Sequence, residues 1–140
     1  MSLISGLRTY VMNYPGLVSG APLLIDALGS KPTQYSIIPA PGPRIVAHYV
    51  DGGAECAFPF TIQSTESTAD DLQRIENSGM YEALAAWFDT QTEAGSLPTL
   101  GAKQTATAVE ALSWGFIYEQ GNSGTGIYQI QCVLRYEQGV

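Results

Sequence analysis

Charge is scarce in this sequence, and positive charge scarcest. Charged residues make up 14% of the 140, against about 25% in an average soluble domain. Six Lys and Arg stand against thirteen Asp and Glu, a net charge of -7. The cations, Arg8, Lys31, Arg44, Arg74, Lys103 and Arg135, are scattered and form no run. Without a basic stripe the counterion release that drives binding to phosphate backbones is missing, so sequence-specific nucleic-acid recognition is not expected. Long apolar runs are also missing. None approaches the roughly 18 residues of a membrane span, and no secretory leader pattern opens the chain. The expectation is a protein with no membrane partner, cytoplasmic at synthesis.

Histidine and cysteine are nearly absent, which removes most catalytic constellations. His48 is the one histidine, so a Ser-His-Asp or Cys-His system would have to be built around it, in a stretch that reads as strand. Cys56 and Cys132 lie far apart in apolar surroundings without a CxxC partner, which suits buried free thiols better than a disulfide or a zinc site. Asp70 and Asp71 are adjacent, and Glu76 with Glu82 has no spacing that requires a shared proton, so solvated charge is expected there. Neither GxGxxG after a strand nor a GxxxxGK[ST] loop occurs. No catalytic residue, cofactor or metal is expected. The aromatic pairs Trp87 with Phe88 and Trp114 with Phe116 read as core rather than as a ligand-stacking set.

What is present is a pattern of helices and strands. Apolar residues at Leu3, Ile4, Leu7, Tyr10, Val11 and Tyr14 share one stripe of a helix over residues 2–13, with Ser2 as N-cap and Pro15-Gly16 as its stop. A second helix is expected over residues 69–94: Thr68 caps it, Asp70 and Asp71 suit its positive end, Gly79 interrupts its apolar stripe and Gly95 stops it. Residues 23–28 and 34–38 read as strands on either side of a turn at 29–32. Prolines at 39, 41 and 43 then exclude regular pairing. Residues 44–50 and 54–63 form a hairpin whose turn is Asp51, Gly52 and Gly53, types that tolerate positive φ. Pro59 inside the second strand predicts an edge or a bulge.

The last third reads as a long hairpin, residues 105–118 and 125–136, joined by a tip containing Gln120, Asn122 and Ser123. Tyr128, Ile130, Cys132, Leu134 and Tyr136 alternate with polar or smaller residues and should face a core. In the first strand Leu112, Trp114, Phe116 and Tyr118 share one face. Ala111, Ser113 and Gly115 share the other, whose small side chains would let a neighbour approach closely. The expected fold is therefore α+β: one domain, an antiparallel or mixed sheet with helices on one face and a long C-terminal hairpin.

Four segments, Tyr49-Val-Asp-Gly-Gly53, Ile75-Glu-Asn-Ser-Gly-Met-Tyr-Glu82, Trp87-Phe-Asp-Thr-Gln-Thr-Glu-Ala-Gly-Ser-Leu-Pro98 and Tyr128-Gln-Ile-Gln-Cys-Val-Leu-Arg-Tyr136, together resemble a family of small prophage proteins. These are minor capsid or tail-terminator (tail-completion) proteins of long-tailed phages of Gram-positive bacteria. The resemblance covers nearly the whole chain in the same order, with departures at residues 39–43 and 83–86. It implies a non-enzymatic virion protein that caps the tail tube as a ring, usually of six subunits, at the head–tail junction. Its partners would be further copies of itself and the tail-tube and head-completion proteins. The host cytoplasm during assembly, and then the virion, are its implied locations. An acidic chain suits a tube through which DNA slides. Ring contacts are expected at the hairpin tips, Asp51, Gly52, Gly53, Gln120, Asn122 and Ser123, and on the small face of Ala111, Ser113 and Gly115. The competing classes are a small-ligand or peptide-binding module and an enzyme built on carboxylates alone.

Overall fold

The computed structural model describes residues 3–16, 23–25, 34–67, 71–120 and 125–140. Ser2 and Thr68 as caps, the turn at 29–32, and Asn122 and Ser123 lie outside the described residues. The elements run α1 (Leu3–Val11), β1 (Leu23–Ile25), β2 (Gln34–Pro39), β3 (Ile45–His48), β4 (Ala54–Ser67), α2 (Asp71–Ala94), β5 (Gln104–Ala111), β6 (Phe116–Gln120) and β7 (Thr125–Gln138). The fold is α+β, with the helices on one face of a mixed sheet.

Two 14-residue strands, β4 and β7, form the spine of that sheet. They pair antiparallel along their whole length, from Ala54 opposite Gln138 to Ser67 opposite Thr125. The strand order is β1-β2-β4-β7-β5, with β3 also on β4 and β6 also on β7. Only β1 with β2 is parallel. Because directly opposed residues share a face, the pairs Phe58–Leu134, Phe60–Cys132 and Ile62–Ile130 line one side. Tyr128, Ile130, Cys132, Leu134 and Tyr136 are all buried there, as their alternation predicts, in one cluster with Leu7, Tyr10 and Val11 of α1 and Tyr81, Leu84 and Phe88 of α2. On the far side of the sheet Gln63 donates to Gln129, 2.8 Å, and Arg135 meets Glu110 at 3.6 Å.

Pro59 is neither on an edge nor in a bulge, contrary to its sequence reading. It sits in the middle of β4, opposite Val133 of β7. Its carbonyl accepts from the Ala40 N–H, 2.9 Å. In an antiparallel strand the N–H and C=O of one residue point the same way, so the missing donor faces residues 40–44, where β4 exchanges β3 for β2 as its neighbour. No ladder bond to β7 is lost. Gly42 makes this possible, since a Cβ there would lie 2.8 Å from Pro59 Cγ. Pro39 likewise enters the ladder, opposite Phe60.

Helix α2 runs unbroken through Gly79 for 24 residues. It stops at Gly95, where φ is 75°. Gly95 N–H donates to Thr92 C=O and Ser96 N–H to Gln91 C=O, 3.2 and 2.9 Å, which is the Schellman pattern that satisfies the last carbonyls of a helix. Helix α1 joins α2 through aromatic contacts. Tyr10 lies 5.1 Å from Trp87 and 6.4 Å from Phe88 between ring centroids, each such pair contributing about 0.5–1.5 kcal/mol beyond its burial. Tyr14 O–H donates to the Met80 carbonyl, 3.2 Å. The Tyr10 hydroxyl is buried without a hydrogen-bond partner, and burial pushes its pKa up to about 12.

Candidate interaction surface

The long C-terminal hairpin forms, but its first strand is broken. Ala111 of β5 lies opposite Cys132 and Phe116 of β6 opposite Gln129, so four residues, 112–115, span the length of two on β7. An excess of two residues must leave the ladder. Leu112 N–H still donates to Gln131 C=O, 2.6 Å. The return bond is made by a side chain, with Gln131 N–H donating to Ser113 Oγ, 3.1 Å.

Helix α2 holds this bulge in place. A Cβ on Gly115 would come 2.5 Å from Tyr81 Cγ and closer still to Tyr81 Cβ, so only glycine fits. Tyr81 is itself fully buried. Its hydroxyl meets Ser64 Oγ at 2.5 Å and donates to the Tyr128 carbonyl at 3.3 Å, while its ring stacks on Tyr128. Desolvation pushes the Tyr81 phenol well above its usual pKa. One side chain thus ties α2, β4, β7 and the bulge together.

With Gly115 drawn inward, Leu112 and Trp114 turn out. Trp114 is 72% exposed, Leu112 57% and Tyr118 60%, and Phe116 and Ile117 beside them are exposed as well. This corrects the reading of Trp114 and Phe116 as core, whereas Phe88 is buried and Trp87 packs against the core. Together the five side chains expose on the order of 500 Å², divided between the two faces of the sheet: Phe116 lies opposite Gln129 on the far side and Ile117 opposite Tyr128 on the helix side. A groove of about 330 Å³ runs beside them, between α2 and the bulge, lined by Ala85, Asp89, Ala111, Leu112, Ser113 and Trp114.

The strand edges around this patch differ. On β5, the free N–H and C=O of Val109 are both satisfied by Thr92 Oγ1 of α2, at 3.2 and 3.1 Å, so the helix blunts that edge. Among the described residues strand β6 pairs only with β7, so its other side presents backbone groups with no strand partner there among apolar side chains, the arrangement that templates pairing with another chain.

The residues expected to make ring contacts are dispersed. Asp51, Gly52 and Gly53 do form the β3–β4 turn. Gly52 has φ 95°, Asp51 Oδ1 accepts from the Gly53 N–H at 2.9 Å, and Tyr49 N–H donates to Gly53 C=O at 2.8 Å. Asp51 and Gly52 are exposed, but Gly53 is buried against the Gln138 carbonyl. Gln120 ends β6 opposite Gly126. Of the small-residue face, Gly115 is occupied by Tyr81 of α2, Ala111 lies against the core, and Ser113 Oγ accepts from the Gln131 N–H of β7. The bulge that exposes Trp114 was missed in the sequence, where Gly115 amid aromatic residues was the available signal.

Among the described residues no group of three or more His, Cys, Asp and Glu could hold a metal ion. His48 is exposed on β3. Both cysteines are free and buried, and desolvation drives the Cys132 thiol far above its usual pKa, away from nucleophilic use. No described helix is long and apolar enough to cross a membrane. No protein-family model matches the chain, and no curated protein matches it either.

Proposed function

We propose that the chain is a structural assembly protein that binds copies of itself in a closed ring, a tail terminator or minor capsid component at the head–tail junction of a long-tailed phage. The observation that carries the self-binding part is the set of exposed apolar side chains Leu112, Trp114, Phe116, Ile117 and Tyr118 around the edge of β6, a strand that among the described residues pairs only with β7. Such a surface is costly for a protein that works alone and is typical of a contact site. The sixfold symmetry and the phage role rest on the sequence resemblance. A small-ligand module is the weaker reading, because the cleft beside Gly6, Tyr10 and Pro98 holds about 260 Å³ and the groove beside Trp114 about 330 Å³, below or at the lower end of the roughly 300–1,000 Å³ of ordinary ligand pockets.

The test is light scattering after size exclusion over a range of concentrations, on the parent chain and on Trp114→Ser. The parent should associate with rising concentration and Trp114→Ser should stay monomeric with an unchanged circular dichroism spectrum. A parent chain monomeric at every concentration, whose loss leaves phage heads and tails joining normally, would remove this reading.

A further inference from the structure

The open β6 edge has a counterpart across the sheet. Among the described residues strand β3 pairs only with β4, and its outer side carries exposed Val46, with exposed Tyr49 and fully exposed Val50 following it. The two apolar edges are separated by the β4–β7 spine. Both carry carboxylates, Asp51, Glu55 and Glu137 around Tyr49 at the far end of β3 and Asp89 beside Trp114, and the β3 edge adds a cation at its start. Arg44 is exposed at the start of β3, and Asp89 is exposed on α2 at the groove beside Trp114. Neither makes an ion pair among the described residues, whereas Arg135 is held by Glu110. Copies of a chain with net charge -7 repel one another at long range, so a stable contact needs opposite charges at the point of meeting.

We propose that the groove between α2 and residues 112–115, together with the open edge of β6, receives the β3 edge of a second copy, with Val46 and Val50 against Leu112 and Trp114 and Arg44 against Asp89. This rests on the self-assembly reading above and specifies its surfaces. The two patches lie on opposite edges of one sheet and are unlike, so the contact is head-to-tail: each copy offers β3 to one neighbour and β6 to the other. Such heterologous contacts close into rings or run on as filaments, and they do not stop at a twofold dimer. Even the roughly 500 Å² that the five side chains expose in all falls short of the roughly 800 Å² per partner of a standard stable interface. A single contact is therefore weak, and closure, in which every copy makes two contacts, stabilises the whole.

A charge exchange tests the docking. Arg44→Glu and Asp89→Arg, both at exposed positions, should each weaken association about tenfold or more, and the chain carrying both should recover to near the parent value, since the pair is restored in reverse. In parallel, Val46→Cys and Leu112→Cys are treated with a short bismaleimide. Neither single variant should cross-link, their mixture should give covalent dimers, and the doubly substituted chain should give a ladder. Cys56 and Cys132, at 2% and 1% exposure, stay unreacted in the folded chain. A chain that associates without the 46–112 cross-link, or whose charge exchange is merely additive, overturns this docking and leaves self-assembly standing. A chain still monomeric at about 1 mM overturns this docking, and overturns self-assembly as well if its loss leaves phage heads and tails joining normally.

Discussion

Two glycines of this chain should respond to the same substitution with opposite signs. At Gly115 the added methyl would meet Tyr81 Cβ and Cγ, the rigid root of a fully buried side chain that is also hydrogen-bonded through its hydroxyl. Neither the ring nor its helix can yield cheaply. Gly115→Ala should therefore show the overpacking cost of about 1–3 kcal/mol. At Gly79, in the middle of α2, a methyl would have nothing within 4 Å. Gly79→Ala should therefore stabilise the chain by about 0.4–1 kcal/mol, through helix propensity and a less flexible unfolded state. With a urea slope of about 2 kcal/mol/M, Gly115→Ala moves the midpoint down by roughly 0.5–1.5 M and Gly79→Ala moves it up by a few tenths. Urea titration by tryptophan fluorescence and circular dichroism reads both. An unchanged midpoint for Gly115→Ala would mean that the bulge is not held by Tyr81, and the account of why Trp114 turns outward would fail with it.

Tyr81→Phe removes one partner of the buried Ser64 contact and should destabilise by about 1–3 kcal/mol, while adding Ser64→Ala should recover part of the loss because no stranded hydroxyl remains. A double variant no more stable than the single would count against that contact. Alkaline titration should also lower stability. The folded pKa values of Cys132, Tyr10, Tyr14 and Tyr81 are all raised by burial above 9.0 for the thiol and 10.0 for the phenols. Below pH 9 both states keep these protons and the contribution is constant. As pH rises above 9 the unfolded chain releases protons that the fold retains, so stability falls, by up to about 1.4 kcal/mol per pH unit per group, until the raised folded values are passed. A urea midpoint that is flat between pH 8.5 and 11 would contradict the burial of these groups.

The parts of the fold legible in the sequence are those set by local periodicity and turn chemistry. The alternation from Tyr128 to Tyr136 identified the buried face of β7, Gly95 the end of α2, and Asp51-Gly52-Gly53 a hairpin turn, because each depends on residues within a few positions. Pro59 was misjudged for a different reason. A missing N–H is visible in sequence, but the side of the strand it faces depends on where β3 hands over to β2. The pair Trp114 with Phe116 was misjudged because Trp87 and Trp114 look alike in composition. Tyr10 and Tyr14 of α1 cover the first. Tyr81, 33 positions from Trp114 along the chain, draws in Gly115 and so turns Trp114 outward. Of the expected contact residues, Asp51 and Gly52 lie at an exposed tip, while Gly115 is small because it admits Tyr81 of the chain's own helix.

The two surplus residues of the bulge offer a way to separate fold from assembly. Side chains alternate with period two along a strand, so removing an even number of residues preserves which face each remaining side chain takes. Deleting Ser113 and Trp114 would place Leu112 opposite Gln131 and Gly115 opposite Ile130, joining the existing Ala111–Cys132 and Phe116–Gln129 pairs in one unbroken ladder. Gly115 would keep the core-facing parity that its contact with Tyr81 requires. The ladder bond now made by Ser113 Oγ would pass to a backbone carbonyl, and the most exposed indole would be gone. The shortened chain should thus be folded, at least as stable to urea as the parent, and monomeric at concentrations where the parent associates. Deleting Trp114 alone inverts the parity of one side of the break, and should cost several kcal/mol by directing either Gly115 away from Tyr81 or Phe116 into the core. Equal stability of the one-residue and two-residue deletions would refute the register argument. A two-residue deletion that still assembles would show that the bulge, however exposed, is not where copies meet.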